Sequence, residues 1–234
     1  MTMRDSDLGR VKALPLFSRA SPEVFRDVTA GAFLQRFPAG TTLLMEGDAV
    51  DFLYVLLDGA VELQGSWKEK ETTLALLRPV STFILAAVVL DADALMSART
   101  LERSEILMLS GEALRRTMRQ DADFSFAVAQ ELSGCYRGLV RAVKNQKLRG
   151  GVERLANWIL AETQKDVHRA SVVIPFDRGT LASHIGTTRE NLSRNLAFLT
   201  DHGVRIRGRE VVIDDKGLLA AFARPQRLMD DPTA

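Results

Sequence analysis

Asp177-Arg-Gly-Thr-Leu-Ala-Ser-His-Ile-Gly186-Thr-Thr-Arg-Glu-Asn-Leu-Ser-Arg-Asn-Leu-Ala-Phe-Leu199 is the stretch that decides the reading. It predicts a helix, a turn and a second helix. Leu181, Ala182 and Ile185 form the inner face of the first, and Ala182 is small where two helices approach closely. Gly186 suits the left-handed backbone of the turn. Thr187 or Thr188 caps the second helix. Leu192, Leu196 and Leu199 recur at i, i+4 and i+7 and make its buried stripe. Arg189, Glu190, Ser193 and Arg194 then face outward near its N-terminal end.

Those four residue types suit the edges of base pairs. Arginine can donate twice to guanine O6 and N7, glutamate can accept from the cytosine amino group, and serine can pair with either kind of edge. In a helix-turn-helix the start of the second helix enters the major groove. Glu190 also follows Thr187 by three, the spacing of a capping box, which is an alternative to base reading. Further on, Val204-Arg-Ile-Arg-Gly-Arg-Glu-Val-Val-Ile213 predicts a two-stranded wing turning at Gly208. Arg205, Arg207 and Arg209 on it, with Arg178 and Thr188, suit phosphate contacts.

Charge agrees with this placement. Residues 1–133 hold 14 Lys+Arg against 19 Asp+Glu, and residues 134–234 hold 17 against 11. A basic C-terminal part on an acidic N-terminal part fits a polyanion-binding domain joined to a sensor; chance segregation of solvated charge is the alternative. The 234 residues, 46% apolar and 26% charged, suffice for two modest domains. The longest apolar run, Phe83 to Leu90, falls well short of the roughly 18–20 residues that span a bilayer. No apolar signal segment opens the chain, so the expected location is the cytoplasm. HExxH, GxSxG, Walker A and GxGxxG patterns are absent, which disfavours a metal enzyme, a triad hydrolase and a P-loop NTPase. His168, His184 and His202 lie far apart, read as packing or surface residues, and no metal site is expected. The single cysteine, Cys135, excludes an intrachain disulfide framework and a cluster held by several cysteines of one chain.

Upstream, residues 9–30 predict short helical pieces, the last starting at Ser21-Pro22-Glu23. From Ala32 to about Leu109, short apolar segments alternate with Pro38-Ala-Gly40, Glu46-Gly47-Asp48 and Asp58-Gly59 turns, the texture of a small antiparallel roll. Ser110-Gly111-Glu112 opens a short helix. Asp121 or Asp123 opens a long one reaching about Lys147. Its apolar positions Phe124, Val128, Leu132, Leu139 and Val143, with Cys135 or Tyr136 between, have coiled-coil spacing. The expected dimer seam is therefore Leu132, Cys135, Tyr136, Leu139 and Val143, followed by a hinge at Gly150-Gly151. A helix packed wholly on its own domain is the alternative, as is a small buried apolar role for Cys135.

Taken in order, these turns, the long helix and Glu190-x-x-Ser193-Arg194 resemble the CRP/FNR superfamily of transcription regulators over nearly the full chain. The resemblance implies an α+β architecture: a cyclic-nucleotide-binding-like antiparallel β-roll over 1–112, a dimerisation helix and hinge over 113–149, and a winged helix-turn-helix over 150–225. It implies a homodimer on double-stranded DNA, with RNA polymerase as a further partner. Glu190-x-x-Ser193-Arg194 is similar to the FNR branch, which reads TTGAT-type half-sites. Arg189 before it is similar to the CRP branch, which reads TGTGA-type half-sites. A TGA-containing half-site is expected.

The resemblance breaks at the ligand cassette. The cyclic AMP receptor uses a glutamate for the ribose and an arginine for the phosphate. Here Ala86 and Met96 align with them, Arg99 is displaced onto the next strand, and Leu139-Val140 replace a Thr-Ser pair that touches adenine. Cyclic AMP is not the expected effector. The cluster cysteines of FNR are missing, which excludes an iron–sulfur cofactor. Residues 1–167 hold no histidine, so haem would need Cys135, a methionine or the N-terminus and is not indicated. The expected pocket residues are Phe83, Leu85, Ala86, Met96, Leu139 and Val140. They would take a weakly polar ligand or fill the space themselves, unless Cys135 reports oxidation instead. The expected function is a non-enzymatic, sequence-specific transcription regulator. The alternative is a small-molecule-binding module whose winged domain contacts proteins.

Overall fold

The computed structural model describes residues 5–164, 171–174 and 177–232. The chain divides into two compact units between Cys135 and Tyr136.

The first unit opens with α1 (Asp5–Lys12) and α2 (Pro22–Thr29). The Ser21 hydroxyl accepts the Val24 amide at 3.2 Å, and Pro22 holds the first helical position, so α2 starts as its sequence dictates. Then follow β1 (Phe33–Phe37), β2 (Thr42–Leu44), β3 (Phe52–Asp58), β4 (Val61–Trp67), β5 (Lys70–Leu77), β6 (Ser81–Phe83), α3 (Leu85–Leu90), β7 (Ser97–Thr100), β8 (Ser104–Ser110), α4 (Gly111–Gln120) and α5 (Ala122–Leu148). The strands form two four-stranded antiparallel sheets, β1-β8-β3-β6 and β2-β7-β4-β5. β3 is buried at every position from Leu53 to Leu57, and β8 nearly so. Both faces of these strands are covered, with α3 against β3 and with α2 and α4 against β8, which explains apolar runs without alternation. Gly59 turns β3 into β4 at φ +93°, and a Cβ there would lie 2.4–2.7 Å from Ser104 and the Arg103 carbonyl. Only glycine fits that corner.

α5 begins on the Asp121 carboxylate, which accepts the Phe124 amide at 2.6 Å. Phe124, Ala127 and Val128 are buried in the first core, and Leu132 packs against it.

The second unit holds the end of α5, α6 (Gly151–Gln164), β9 (Ser171–Val173), α7 (Arg178–Ile185), α8 (Arg189–Leu199), β10 (Val204–Arg207), β11 (Glu210–Ile213), α9 (Lys216–Ala223) and α10 (Arg227–Asp230). Leu155 and Ile159 of α6, Leu181 of α7, Leu192, Leu196 and Leu199 of α8, and Leu219 of α9 make its core. The predicted two-stranded wing is the outer part of a three-stranded sheet, β10-β11-β9. Val172 pairs with Val211, and burying both apolar side chains recruits the third strand. Among the described residues no helix is long and apolar enough to cross a membrane. The fold class is the expected one: antiparallel roll, long helix, winged helix-turn-helix.

Candidate nucleic-acid interface

α7 is capped by Asp177, whose carboxylate accepts the Gly179 amide (2.6 Å), the Thr180 amide (3.1 Å) and the Thr180 hydroxyl (2.8 Å). Gly186 closes the helix at φ +73°, and the Thr187 amide returns to the Ala182 carbonyl at 2.9 Å. Of the two candidate caps for α8, Thr188 is the one used: its hydroxyl accepts the Asn191 amide at 3.2 Å. Glu190 therefore holds the second helical position, and the capping box with Thr187 does not form.

The buried stripe of α8 is the predicted one, and Arg189, Glu190, Ser193 and Arg194 are all exposed. Ser193 donates to the Arg189 carbonyl at 3.1 Å, and Arg194 leans loosely on Asn191 at 3.4 Å. Glu190 has its carboxyl held below the usual range, first by its own backbone amide, then by the Thr188 hydroxyl and the charges of Arg194 and Arg189. It is an ionised acceptor. Arg189 lies across Gly179 and reaches the Asp177 carboxylate at 3.3 Å. Burial pushes Asp177 up, but bonds from Thr180 and Gly179 and the Arg189 charge outweigh it and leave the carboxyl lowered. This Asp177–Arg189 pairing escaped the sequence reading; an aspartate one residue before a helix was its only signal.

The candidate phosphate ligands have partners of their own. Arg178 donates to the Gly208 carbonyl at 3.3 Å, Arg209 donates to the Ile174 carbonyl at 3.0 Å, and Arg205 pairs with Asp214, which raises its pKa. Thr188 is spent on its cap, and Arg207 is exposed beside the Gly208 turn.

Of the expected pocket residues, Phe83 and Leu85 lie in the first core and Met96 packs against it, whereas Ala86 is exposed on α3. Leu139 and Val140 are exposed on the part of α5 that belongs to the second unit. Arg99 on β7 donates to Glu62 at 2.9 Å, and the almost fully buried Glu62 also accepts from Thr73 at 2.6 Å. Along the expected seam, Cys135, Tyr136, Leu139 and Val143 are exposed, while Leu132 leans on the first core. Within the single chain Cys135 is thus exposed, not buried. Partial desolvation of its sulfur and the Glu131 charge push its thiol up, away from the reactive thiolate. His202 stacks on Phe198 at 4.6 Å and meets Phe222 at 4.4 Å, and its Nδ1 lies 3.2 Å from the Phe198 carbonyl, a packing role. His184 is half-buried on α7, and His168 lies outside the described residues.

Residues 34–121 match the family model described as cyclic nucleotide-binding domain, and residues 153–222 match that described as Crp-like helix-turn-helix domain. A CRP-like cAMP-activated global transcriptional regulator of Mycobacterium tuberculosis is 22% identical over 215 residues, covering 89% of this chain and 96% of that protein. The global nitrogen regulator of a Nostoc species is 24% identical over 193 residues, covering 78% of this chain and 86% of its own. The solved structure of FixK2 from Bradyrhizobium japonicum superposes with a TM-score of 0.73 over 83% of this chain and 98% of that one, at 16% identity. At that identity the likeness is one of fold.

Proposed function

The chain belongs to the CRP/FNR family of DNA-binding transcription regulators, and from that premise we propose that it acts as a homodimer on a palindromic, TGA-containing site under an effector other than cyclic AMP. The family is one of regulators, not of enzymes. The observation that carries the reading is the start of α8. Arg189, Glu190, Ser193 and Arg194 stand in solvent there, while three leucines fix the opposite side of the same helix in the core. Such a face can enter a major groove without rearrangement of the core.

Exposed apolar residues along α5 support the homodimer: Tyr136, Leu139, Val140 and Val143 recur at helical spacing, as a two-chain seam requires. The effector reading rests on the cassette. Met96 and Ala86 offer neither a cation for a phosphate nor a carboxylate for a ribose, and Arg99 is already engaged by Glu62. A phosphate placed there would forgo charge-assisted bonds worth about 1.5–3 kcal/mol. RNA polymerase as a partner and the cytoplasm as location belong to the same reading.

Anisotropy titrations against duplexes with inverted TGA half-sites test it. Arg194→Ala should cost about 1–3 kcal/mol and relax discrimination at one base pair. An equal loss on random DNA would contradict base reading.

A further inference from the structure

The C-terminal ends of α5 and α7 meet at one side chain. A helix leaves its last four carbonyls without partners, and its C-terminal end carries partial negative charge. Arg154, in the first turn of α6, fills both needs at once. Its Nε donates to the Ile185 carbonyl at 2.6 Å and its Nη2 to the Gly186 carbonyl at 3.0 Å, both at the end of α7. Its Nη1 donates to the Arg149 carbonyl at 2.5 Å and leans toward the Gln146 carbonyl at 3.4 Å, both at the end of α5. Around this guanidinium the packing is close. A Cβ on Gly186 would lie 2.5 Å from the Gln146 side chain, and one on Gly151 would lie 3.3 Å from Asn195 of α8. The Gly150 amide is taken by Glu153 at 2.7 Å. The expected hinge at Gly150-Gly151 is thus bonded and packed on both sides.

We infer that Arg154 is a positioning residue for DNA reading: it clamps the helix-turn-helix to the last turns of α5 and so fixes the direction in which α8 projects from that helix. It touches no base and takes no part in contacts to DNA. Five N–H donors in a planar fork suit carbonyls arriving from two helix ends, a geometry that lysine, with one compact ammonium, cannot span. In a dimer joined along α5, the clamp would set the distance between the two reading helices. It would therefore decide which half-site spacing is accepted.

This inference rests on the dimeric, palindrome-reading function proposed above, and the experiment separates the two. Duplexes carrying one TGA half-site, and inverted pairs at stepped spacings, are titrated with the full chain. The wild type should prefer one spacing over its neighbours by at least about tenfold. Arg154→Gln should bind the single half-site within about twofold of wild type yet hold neighbouring spacings within about threefold of one another, and Arg154→Lys should fall between. Retained half-site affinity shows that the head is folded, so a merely structural role would not give this pattern. If Arg154→Gln does not fold, Arg154→Lys carries the test, and it should broaden the spacing. A wild type without spacing preference overturns the dimeric reading and the clamp together. A wild type with a sharp preference that the foldable variants keep overturns the clamp alone.

Discussion

The α7–α8 segment and the β6–α3–β7 segment are both short helices entered through tight backbone turns, yet they differ in what they present. In α7–α8 the turn glycine, the two caps and the buried leucines all serve a polar outward face. In β6–α3–β7 the turns are equally sharp, with Ile84 at φ +66° and Asp91 at φ +54°, but the helix between them, Leu85–Leu90, is wholly apolar. A left-handed residue with a Cβ costs roughly 1–2 kcal/mol, and Ile84 sits there with its side chain buried in the first core. Arg99 on β7 is bound to Glu62, and Arg115 of α4 is bound to the Val88 carbonyl and the Asp91 carboxylate. The difference teaches that the backbone course of a site and its chemistry are separable. The short helix of the roll offers an apolar surface, and the start of α8 offers a charged and polar one.

The hardest way to break the contrast is through the scaffold of the head. Leu192→Ala removes a fully buried side chain from the second core and should cost about 2–5 kcal/mol. Thermal unfolding should show the loss, and DNA affinity should fall with it although no outward residue has changed.

A sharper probe is to supply the missing chemistry. Ala86→Glu with Met96→Arg should give measurable cyclic AMP binding by calorimetry where the wild type gives none. The gain expected is about 1.5–3 kcal/mol per charge-assisted contact made. Strong binding by the unaltered chain would reverse the contrast.

The smallest effect concerns the end of the second unit. Arg149, itself nearly buried, makes a two-pronged pair with Asp230 at 2.6 and 2.7 Å. Burial pushes the Asp230 carboxyl up, but the Arg149 bond, the Gln226 amide and the Arg149 charge together outweigh it and leave it lowered. A lowered carboxyl stabilises the fold above the ordinary carboxylate pKa of about 3.9, and that stability is lost as pH falls through the folded value. Asp230→Ala should therefore cost about 1–2 kcal/mol at neutral pH, discounted for partial exposure, and the gap to wild type should close in acid. Chemical denaturation at pH 7 and below pH 4 checks both halves.

What could be read in advance follows the range of the interactions. Gly186, the threonine cap and the leucines at i, i+4 and i+7 are local signals, and the two helices fall where those signals put them. Strands β1 to β4 were legible for the same reason, since the Gly40, Gly47 and Gly59 turns bound them, whereas the β4–β5 turn at Lys68-Glu69 and the β5–β6 turn at Arg78-Pro79-Val80 carry no glycine. The order of the strands in two sheets was not legible, because β1-β8 and β2-β7 pairs join residues more than fifty positions apart. Polar pairs between separate elements were equally hidden. Asp214 claims Arg205, the Ile174 carbonyl claims Arg209, and Glu62 claims Arg99, so arginines that look alike in the chain differ in how much charge they leave to a ligand.

The order of amino acids alone thus determined the kind of protein this is: an antiparallel roll, a long helix and a winged reading head, with the outward residues of one helix marked by periodicity and caps. Only the folded chain decided which threonine caps that helix, that a third strand completes the wing, and that Arg154 gathers the ends of two helices. The physical reason is distance. Periodicity and capping act within a turn or two of backbone, whereas a guanidinium chooses its carbonyls from whatever the tertiary fold brings within about 3 Å.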